Sequence, residues 1–298
     1  MKQWTHDCPP TLTDTQVLDF CQKGFVWLEA VVPDEINRRV YEFLDEHPEI
    51  EPSCILREEW FVKQVICNPE AAGAVRSLLG SDFHLPVLMS NHRVRGPYCE
   101  PGGWHIDGNF KHGYELPGLQ VFYYPQDTTP EMGPTDLVPG SHHIRMKRRY
   151  MVNFENIATA FSSTAPAGSI FIACYPIWHR RGYATSTRLR NMLKYFYWRT
   201  TEPTRDWITE PDFDFATANY GSCSYAYGEK LKNDVDSAEM FYWLCGMHDR
   251  FQVLGGQSWP VFNPNRIDVP YGFPGPVAPV SEASGKRRPV QGGASGDK

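Results

Sequence analysis

Ten histidines share this 298-residue chain with 35 acidic residues, and metal chemistry is sought among them. At those abundances about one His-x-Asp/Glu triplet arises by chance, yet two occur: His47-Pro48-Glu49 and His105-Ile106-Asp107. The first ends a charged helical stretch with a proline stiffening its middle, and it reads as a solvated helix terminus. The second follows the turn Pro101-Gly102-Gly103 and precedes Gly108. On a strand, residues i and i+2 face the same side, so His105 and Asp107 are expected to converge on one ion while Ile106 packs behind. A His–Asp hydrogen bond inside a core is the competing reading. A third ligand has to come from a distant segment, with His112, His142, His143 and His179 as candidates. His179 stands out because Pro176-Ile177-Trp178-His179 follows an apolar strand and runs into Arg180, Arg181, Arg188 and Arg190. Two histidines and one carboxylate make the facial triad of non-haem iron sites, which leaves coordination positions open. Cations close by suit an anionic co-ligand. A satisfied core histidine and a solvated basic turn stay open as alternatives.

The elements that must position these groups are legible from periodicity and punctuation. Thr13 with Gln16 three residues on is a capping-box pattern, and Gly24 closes a helix carrying Val17, Leu18, Phe20 and Cys21. Phe25 to Ala30 reads as a strand. Pro33 opens an amphipathic helix whose apolar positions Ile36, Val40, Phe43 and Leu44 recur at helical spacing until Pro48, and Asn68-Pro69 starts a third that stops at Gly80. From about 84 to 200 the pattern changes to short apolar runs: Leu85–Val94, Gly118–Tyr124, Thr135–Val138, Ser169–Ala173 and Leu189–Trp198. Glycine and proline clusters separate them, which predicts an antiparallel sandwich or jelly roll. A further helix is expected over 235–251, and the polar, Gly/Ser-rich end 282–298 is expected to be a flexible tail. The whole reads as a single domain over 1–281: a helical part at about 12–80, a β core at about 84–200, and helix and loops over 201–281.

Composition narrows the function classes. A net charge of −6 argues against a nucleic-acid binder held by phosphate contacts. No run of 18 apolar residues is present, so no membrane span is expected. The start shows no secretory pattern, and the eight cysteines include no C-x-x-C pair, so a cytoplasmic protein with reduced thiols is expected. The oligomeric state is not written in the sequence.

Four segments, in order, resemble the phytanoyl-CoA dioxygenase family of Fe(II)- and 2-oxoglutarate-dependent oxygenases. They are Leu12-Thr13-Asp14 through Gly24-Phe25-Val26, Trp104-His105-Ile106-Asp107, Gly133-Pro134 through Pro139-Gly140-Ser141-His142, and Ala167-Gly168-Ser169 through Trp178-His179 with Arg190. The resemblance covers roughly residues 12–200. It implies a mainly β fold with flanking α-helices, a double-stranded β-helix (cupin-like jelly roll), with iron held by His105, Asp107 and His179. It also implies Fe(II), 2-oxoglutarate and O2 as the cofactor and co-substrates, and a small-molecule substrate hydroxylated with release of succinate and CO2. Arg190, eleven residues after the distal histidine, corresponds to the family's 2-oxoglutarate arginine, and a guanidinium can donate two parallel hydrogen bonds to a carboxylate. Tyr123 stands where relatives place an aromatic lining that pocket, with a core aromatic as the competing reading; Asn91 is a further candidate. Some relatives carry a serine two residues after the distal histidine, where Arg181 stands. Halogenating relatives replace the carboxylate that Asp107 retains.

Trp60, Phe61, Phe110, Trp198 and Trp207 are candidates for a substrate pocket or core. The basic cluster Arg145, Lys147, Arg148 and Arg149 suits a phosphate or a solvated loop. Two other classes stay open: a cupin-like metal-dependent isomerase or hydrolase using the same residues, and a non-catalytic jelly roll that binds a small ligand.

Overall fold

In a computed structural model of the chain, residues 4–97, 100–108, 113–144, 150–151, 155–215, 218 and 228–251 are described. Phe110, His112, the Arg145–Arg149 cluster and the 282–298 tail lie outside them.

The amino-terminal helices form where their caps allow. In α1 (Asp14–Lys23), Thr13 and Gln16 make the reciprocal capping box, and Gly24 ends the helix in the left-handed region at φ 85°. Helix α2 (Asp34–Glu46) starts after Pro33 and stops before Pro48. A short turn α3 (Glu59–Phe61) runs on as a π-helical turn over Val62–Ile66. In α4 (Pro69–Leu79), the Asn68 carboxamide accepts from the backbone N–H groups of Glu70 and Ala71.

The β core is built from two sheets. The larger has the path β1 (Thr5–His6), β3 (Phe83–His84), β14 (Leu193–Trp198), β7 (Gly118–Tyr124), β11 (Ser169–Cys174) and β2 (Phe25–Leu28), with β4 (Ser90–Asn91) also on β14. The smaller has the order β10 (Phe161–Ser162), β8 (Thr135–Leu137), β12 (His179–Arg181), β6 (Trp104–His105) and β9 (Tyr150–Met151). A separate pair joins β13 (Leu189–Arg190) to β5 (Val94–Arg95). All these pairings are antiparallel, as a jelly roll requires.

Two faces of one sheet carry two cores. Leu119, Val121 and Tyr123 of β7, Ile170 and Ile172 of β11, and Leu193, Tyr195 and Tyr197 of β14 pack beneath Val17, Phe20, Val40, Leu44, Val75 and Leu79 of the helices. The alternate residues Phe122, Tyr124, Phe171 and Ala173 meet Leu137 and Ile177 between the sheets. The central strands are therefore buried on both sides, which is why they read as unbroken apolar runs rather than alternating ones.

Three expected boundaries differ. Leu85–Val94 supplies only the short β4 and the start of β5. Leu189–Trp198 breaks at Asn191 and Met192, because their backbone N–H groups go to the side-chain carbonyls of Gln126 (3.1 Å) and Asn91 (3.3 Å) instead of a ladder. The last helix, α5, runs Gly228–Leu244, and Gly246 (φ 69°) then turns the chain against the Pro203 carbonyl. No helix among the described residues is long and apolar enough to cross a membrane.

A buried carboxylate fastens the segment after the β core onto α1. Asp14, fully buried, accepts from Arg205 Nε (2.9 Å) and an Arg205 terminal nitrogen (2.8 Å), from Trp207 Nε1 (2.8 Å) and from the Glu210 backbone (2.8 Å). Asp14→Ala leaves that guanidinium and indole without their acceptor, and denaturant unfolding is expected to show a loss of about 3–5 kcal/mol.

Candidate metal centre

His105 and His179 are 74 positions apart and directly opposite one another across β6 and β12, where cross-strand neighbours approach closely. Their rings lie 4.4 Å apart, centroid to centroid. The β12 mount is stiff. Arg180, on the opposite face from His179, bonds Asp136 (3.1 Å), Asn156 (3.1 Å) and the Glu155 carbonyl, and it lies 4.5 Å over the Trp104 ring. The Pro139-Gly140-Ser141 turn holds the approach: Ser141 Oγ accepts from Trp178 N (2.9 Å), one residue before the histidine.

Both imidazoles are oriented by the same device. His105 Nδ1 faces the Gly103 carbonyl at 2.9 Å, and His179 Nδ1 faces the Ile177 carbonyl at 3.0 Å. A carbonyl only accepts, so each Nδ1 carries a proton and each Nε2 turns to the shared space, the tautomer a metal ligand needs. The Asp107 carboxylate completes the group, with Oδ2 3.1 Å from His179 Nε2 and Oδ1 3.9 Å from His105 Nε2. One donor atom from each of the three residues fits within 4.8 Å of the others. Asp107 is not on the strand, as i, i+2 spacing predicts; β6 ends at His105, and the carboxylate comes from the turn before Gly108 (φ 65°). The donor set, two neutral nitrogens and a carboxylate on a half-buried rim, fits a divalent transition ion.

The electrostatics fit a cation too. Burial by itself would raise the Asp107 carboxyl, but the hydrogen bond with His179 and the charge of Lys194 outweigh it and hold the group far below the usual carboxylate range. His105 is shifted down, by desolvation first and by His179 second.

Arg190 is 1% exposed. Its terminal nitrogens donate to the His92 carbonyl (3.1 Å) and the Gly133 carbonyl (2.6 Å), while Nε is buried without a partner. Among the described residues no carboxylate pairs with it. Burial depresses its pKa, Tyr124 opposes the shift, and Arg181 adds to it. A buried cation that no described carboxylate pairs with is costly.

The other sequence candidates lie elsewhere. Tyr123 is turned to the helix-covered face, where its hydroxyl donates to Asn37 Oδ1 at 2.7 Å. Side chains alternate along a strand, so the residue turned inward is Tyr124, bonded to Thr135 and Ser163. Asn91 joins β4 to the β13–β14 break through Asn191 (3.0 Å). His142 and His143 both bond the Cys21 carbonyl, at 3.0 and 2.8 Å, and take no part. Arg181 donates to the Glu100 carbonyl at 2.7 Å. Phe61 and Trp207 are core, and Trp60 stacks under Arg39. Trp198 shares the inward face of β14 with Phe196, 6.1 Å away.

Sequence reading missed Lys194. It is 5% exposed, contacts Asp107 Oδ2, and lies over the rings of Phe122 (5.5 Å) and Phe196 (6.0 Å). Desolvation lowers its pKa, and Asp107 counters the shift. Alternation from Arg190 through Met192 was the available signal. His92, at the β4–β5 link, is also near, its pKa lowered to about 4 by desolvation and then by Lys194 and Arg190.

No protein-family model and no curated protein matches this sequence. Several solved structures do. One is a non-heme alpha-ketoglutarate-dependent carbocyclase, SnoK, from nogalamycin biosynthesis, at 18% identity and TM-score 0.52, covering 67% of this chain and 91% of that one. Another is HygX from Streptomyces hygroscopicus with nickel and 2-oxoglutarate bound, at 15% identity and TM-score 0.52, covering 64% and 88%. HygX with iron bound aligns at 15% identity and TM-score 0.51 over 64% and 89%. At these identities the likeness is one of fold, the jelly roll of 2-oxoglutarate-dependent enzymes.

Two measurements check the geometry. Lys194→Met removes an ammonium that competes for Asp107, so titration with Mn(II) alone is expected to show at least about tenfold tighter binding, about 1.4 kcal/mol; weaker binding overturns that role. Tyr123→Phe orphans Asn37 Oδ1 and is expected to cost about 1–2 kcal/mol of unfolding free energy while Mn(II) affinity stays unchanged.

Proposed function

We propose that this chain is an Fe(II)- and 2-oxoglutarate-dependent oxygenase of the phytanoyl-CoA dioxygenase type, hydroxylating a C–H bond of a small acidic molecule. The observation that carries this reading is the convergence of two imidazole Nε2 atoms and one carboxylate at one point of the roll, with a buried guanidinium on the same interior that no described carboxylate neutralises.

His105, Asp107 and His179 would hold the iron, and the carbonyls of Gly103 and Ile177 keep both rings in the ligating tautomer. Iron held this way, with 2-oxoglutarate and O2, supplies the oxidising power that converts C–H to C–OH while succinate and CO2 leave. Arg190 receives the distal carboxylate of the co-substrate, its unpartnered Nε adding a donor. Asn91 supports this pocket indirectly, since its strand leads to the His92 carbonyl that braces Arg190.

The charges point to the substrate class. A divalent ion, Asp107, Arg190 and Lys194 together carry three positive charges net, and a dianionic co-substrate leaves one uncompensated. A buried charge without a partner is costly, so the substrate is assigned the missing anion. Lys194 lies on β14, beyond the Asn191–Met192 break from Arg190 and beside Phe196 and Trp198, and it positions that group next to the metal.

The test is anaerobic addition of Fe(II) and 2-oxoglutarate, read by the visible charge-transfer band, followed by succinate release in air. Arg190→Met is expected to weaken 2-oxoglutarate on the order of 100-fold, or about 3 kcal/mol, and Asp107→Ala to lose iron. Among candidate substrates, carboxylic acids are expected to stimulate succinate release over their amides. If Arg190→Met binds 2-oxoglutarate as tightly as wild type, the co-substrate assignment falls.

A further inference from the structure

The His47-Pro48-Glu49 triplet reads from sequence as a solvated helix end, and in the structure it acquires a third polar neighbour. Cys54, from the 3-10 turn Ser53–Arg57, brings its Sγ 3.8 Å from His47 Nδ1, and Glu49 Oε1 lies 3.4 Å from the same nitrogen. The three donor atoms lie within 4.8 Å of one another. We propose that His47, Glu49 and Cys54 form a second metal site that takes a borderline-soft divalent ion, zinc above all, and that this site is independent of the His105–Asp107–His179 centre.

Three observations carry the assignment. The first is the spacing. With metal–nitrogen and metal–oxygen bonds of about 2.0–2.1 Å and a metal–sulfur bond of about 2.3 Å, a tetrahedron has edges of about 3.3 Å for N···O and about 3.6 Å for N···S. The separations of 3.4 and 3.8 Å exceed those edges by about 0.1 and 0.2 Å. The second is convergence on one atom. Glu49 and Cys54 both aim at Nδ1, so the carboxylate does not orient the far side of the ring as it would in a thiol-activating triad. The third is a fixed ring: His47 stacks on Phe43, one turn earlier in α2, at 4.3 Å and 28°. The mixture of thiolate, imidazole and carboxylate selects zinc over magnesium or calcium, which prefer oxygen alone. The His47 and Glu49 side chains are 39% and 48% exposed, so water completes the fourth position and the ion exchanges with solvent.

The site also has a lever on the rest of the molecule. Its loop is bonded to β4: the Ile50 carbonyl accepts from Asn91 N at 2.7 Å, and Ser53 Oγ accepts from Met89 N at 3.0 Å. One residue beyond Asn91, the His92 carbonyl holds Arg190. An ion at residues 47, 49 and 54 therefore clamps the segment behind the strand that braces the buried guanidinium.

Cobalt(II) is the probe, because its bond to thiolate gives an intense near-ultraviolet band that nitrogen and oxygen ligands do not. Titration of the full-length protein under reducing conditions is expected to raise this band to saturation with one thiolate-bound cobalt per chain, the nitrogen and oxygen ligands of the His105–Asp107–His179 centre adding nothing to it, and zinc is expected to abolish it. Cys54→Ser is expected to lose the band, and His47→Ala and Glu49→Gln to weaken cobalt at least tenfold, with far-ultraviolet circular dichroism unchanged. Zinc is expected to raise the thermal midpoint of wild type by more than that of Cys54→Ser, in which only the His105–Asp107–His179 centre still takes the ion. A missing band in wild type, a band that persists in Cys54→Ser, or undiminished affinity in His47→Ala overturns the site and leaves only an ion pair beside a thiol.

Discussion

The pairing of β12 with β6 is the constraint on which the rest depends. It sets His179 opposite His105 and so brings residues 74 positions apart in sequence to one point with both Nε2 atoms near Asp107. Around that pair the smaller sheet supplies rigidity rather than reactivity. Arg180 rivets the outer face to Asp136 and Trp104, and the Ser141 hydroxyl fixes the peptide just ahead of the histidine. A ligand set is only as well placed as the backbone that carries it, and here the backbone is held from both sides.

The division of labour between the faces of the larger sheet explains how a polar interior is tolerated. Its outer face, covered by α1, α2 and α4, buries most of the apolar surface and so provides the bulk of the hydrophobic stabilisation. The inner face is relieved of that task and can hold Lys194 of β14 away from solvent, while Arg190, on the separate β13–β5 pair, is buried as well. Desolvation lowers the pKa of both, so burying these cations is costly unless a partner offsets it, as Asp107 does for Lys194.

Much of this was legible in the sequence, and the failures have physical causes. Helix limits followed from local chemistry, as with the Thr13–Gln16 box and the Asn68 cap, because caps are decided within four residues. The three positions that converge at the candidate metal centre were legible because their types and flanking turns are unusual together. Tyr123 against Tyr124 was a question of parity, and parity is undetermined when a strand is apolar on both faces. Lys194 was passed over inside a run read as apolar, although alternation from Arg190 through Met192 places it on the inward face. Cys54 carried no signal at all. Its approach to His47 depends on how an irregular loop folds back, which neither spacing nor period encodes.

The Asp14 junction has a consequence for how this architecture can be varied. Four donors from residues 205–210 end on one carboxylate in the first helix, so α1 and the segment past the jelly roll depend on each other. A chimera that swapped the stretch beyond residue 200 for one from a distant homologue would strand a desolvated anion at its opposite end. Grafts that respect the junction must exchange both pieces together, and the roll between them is the part left free to diversify.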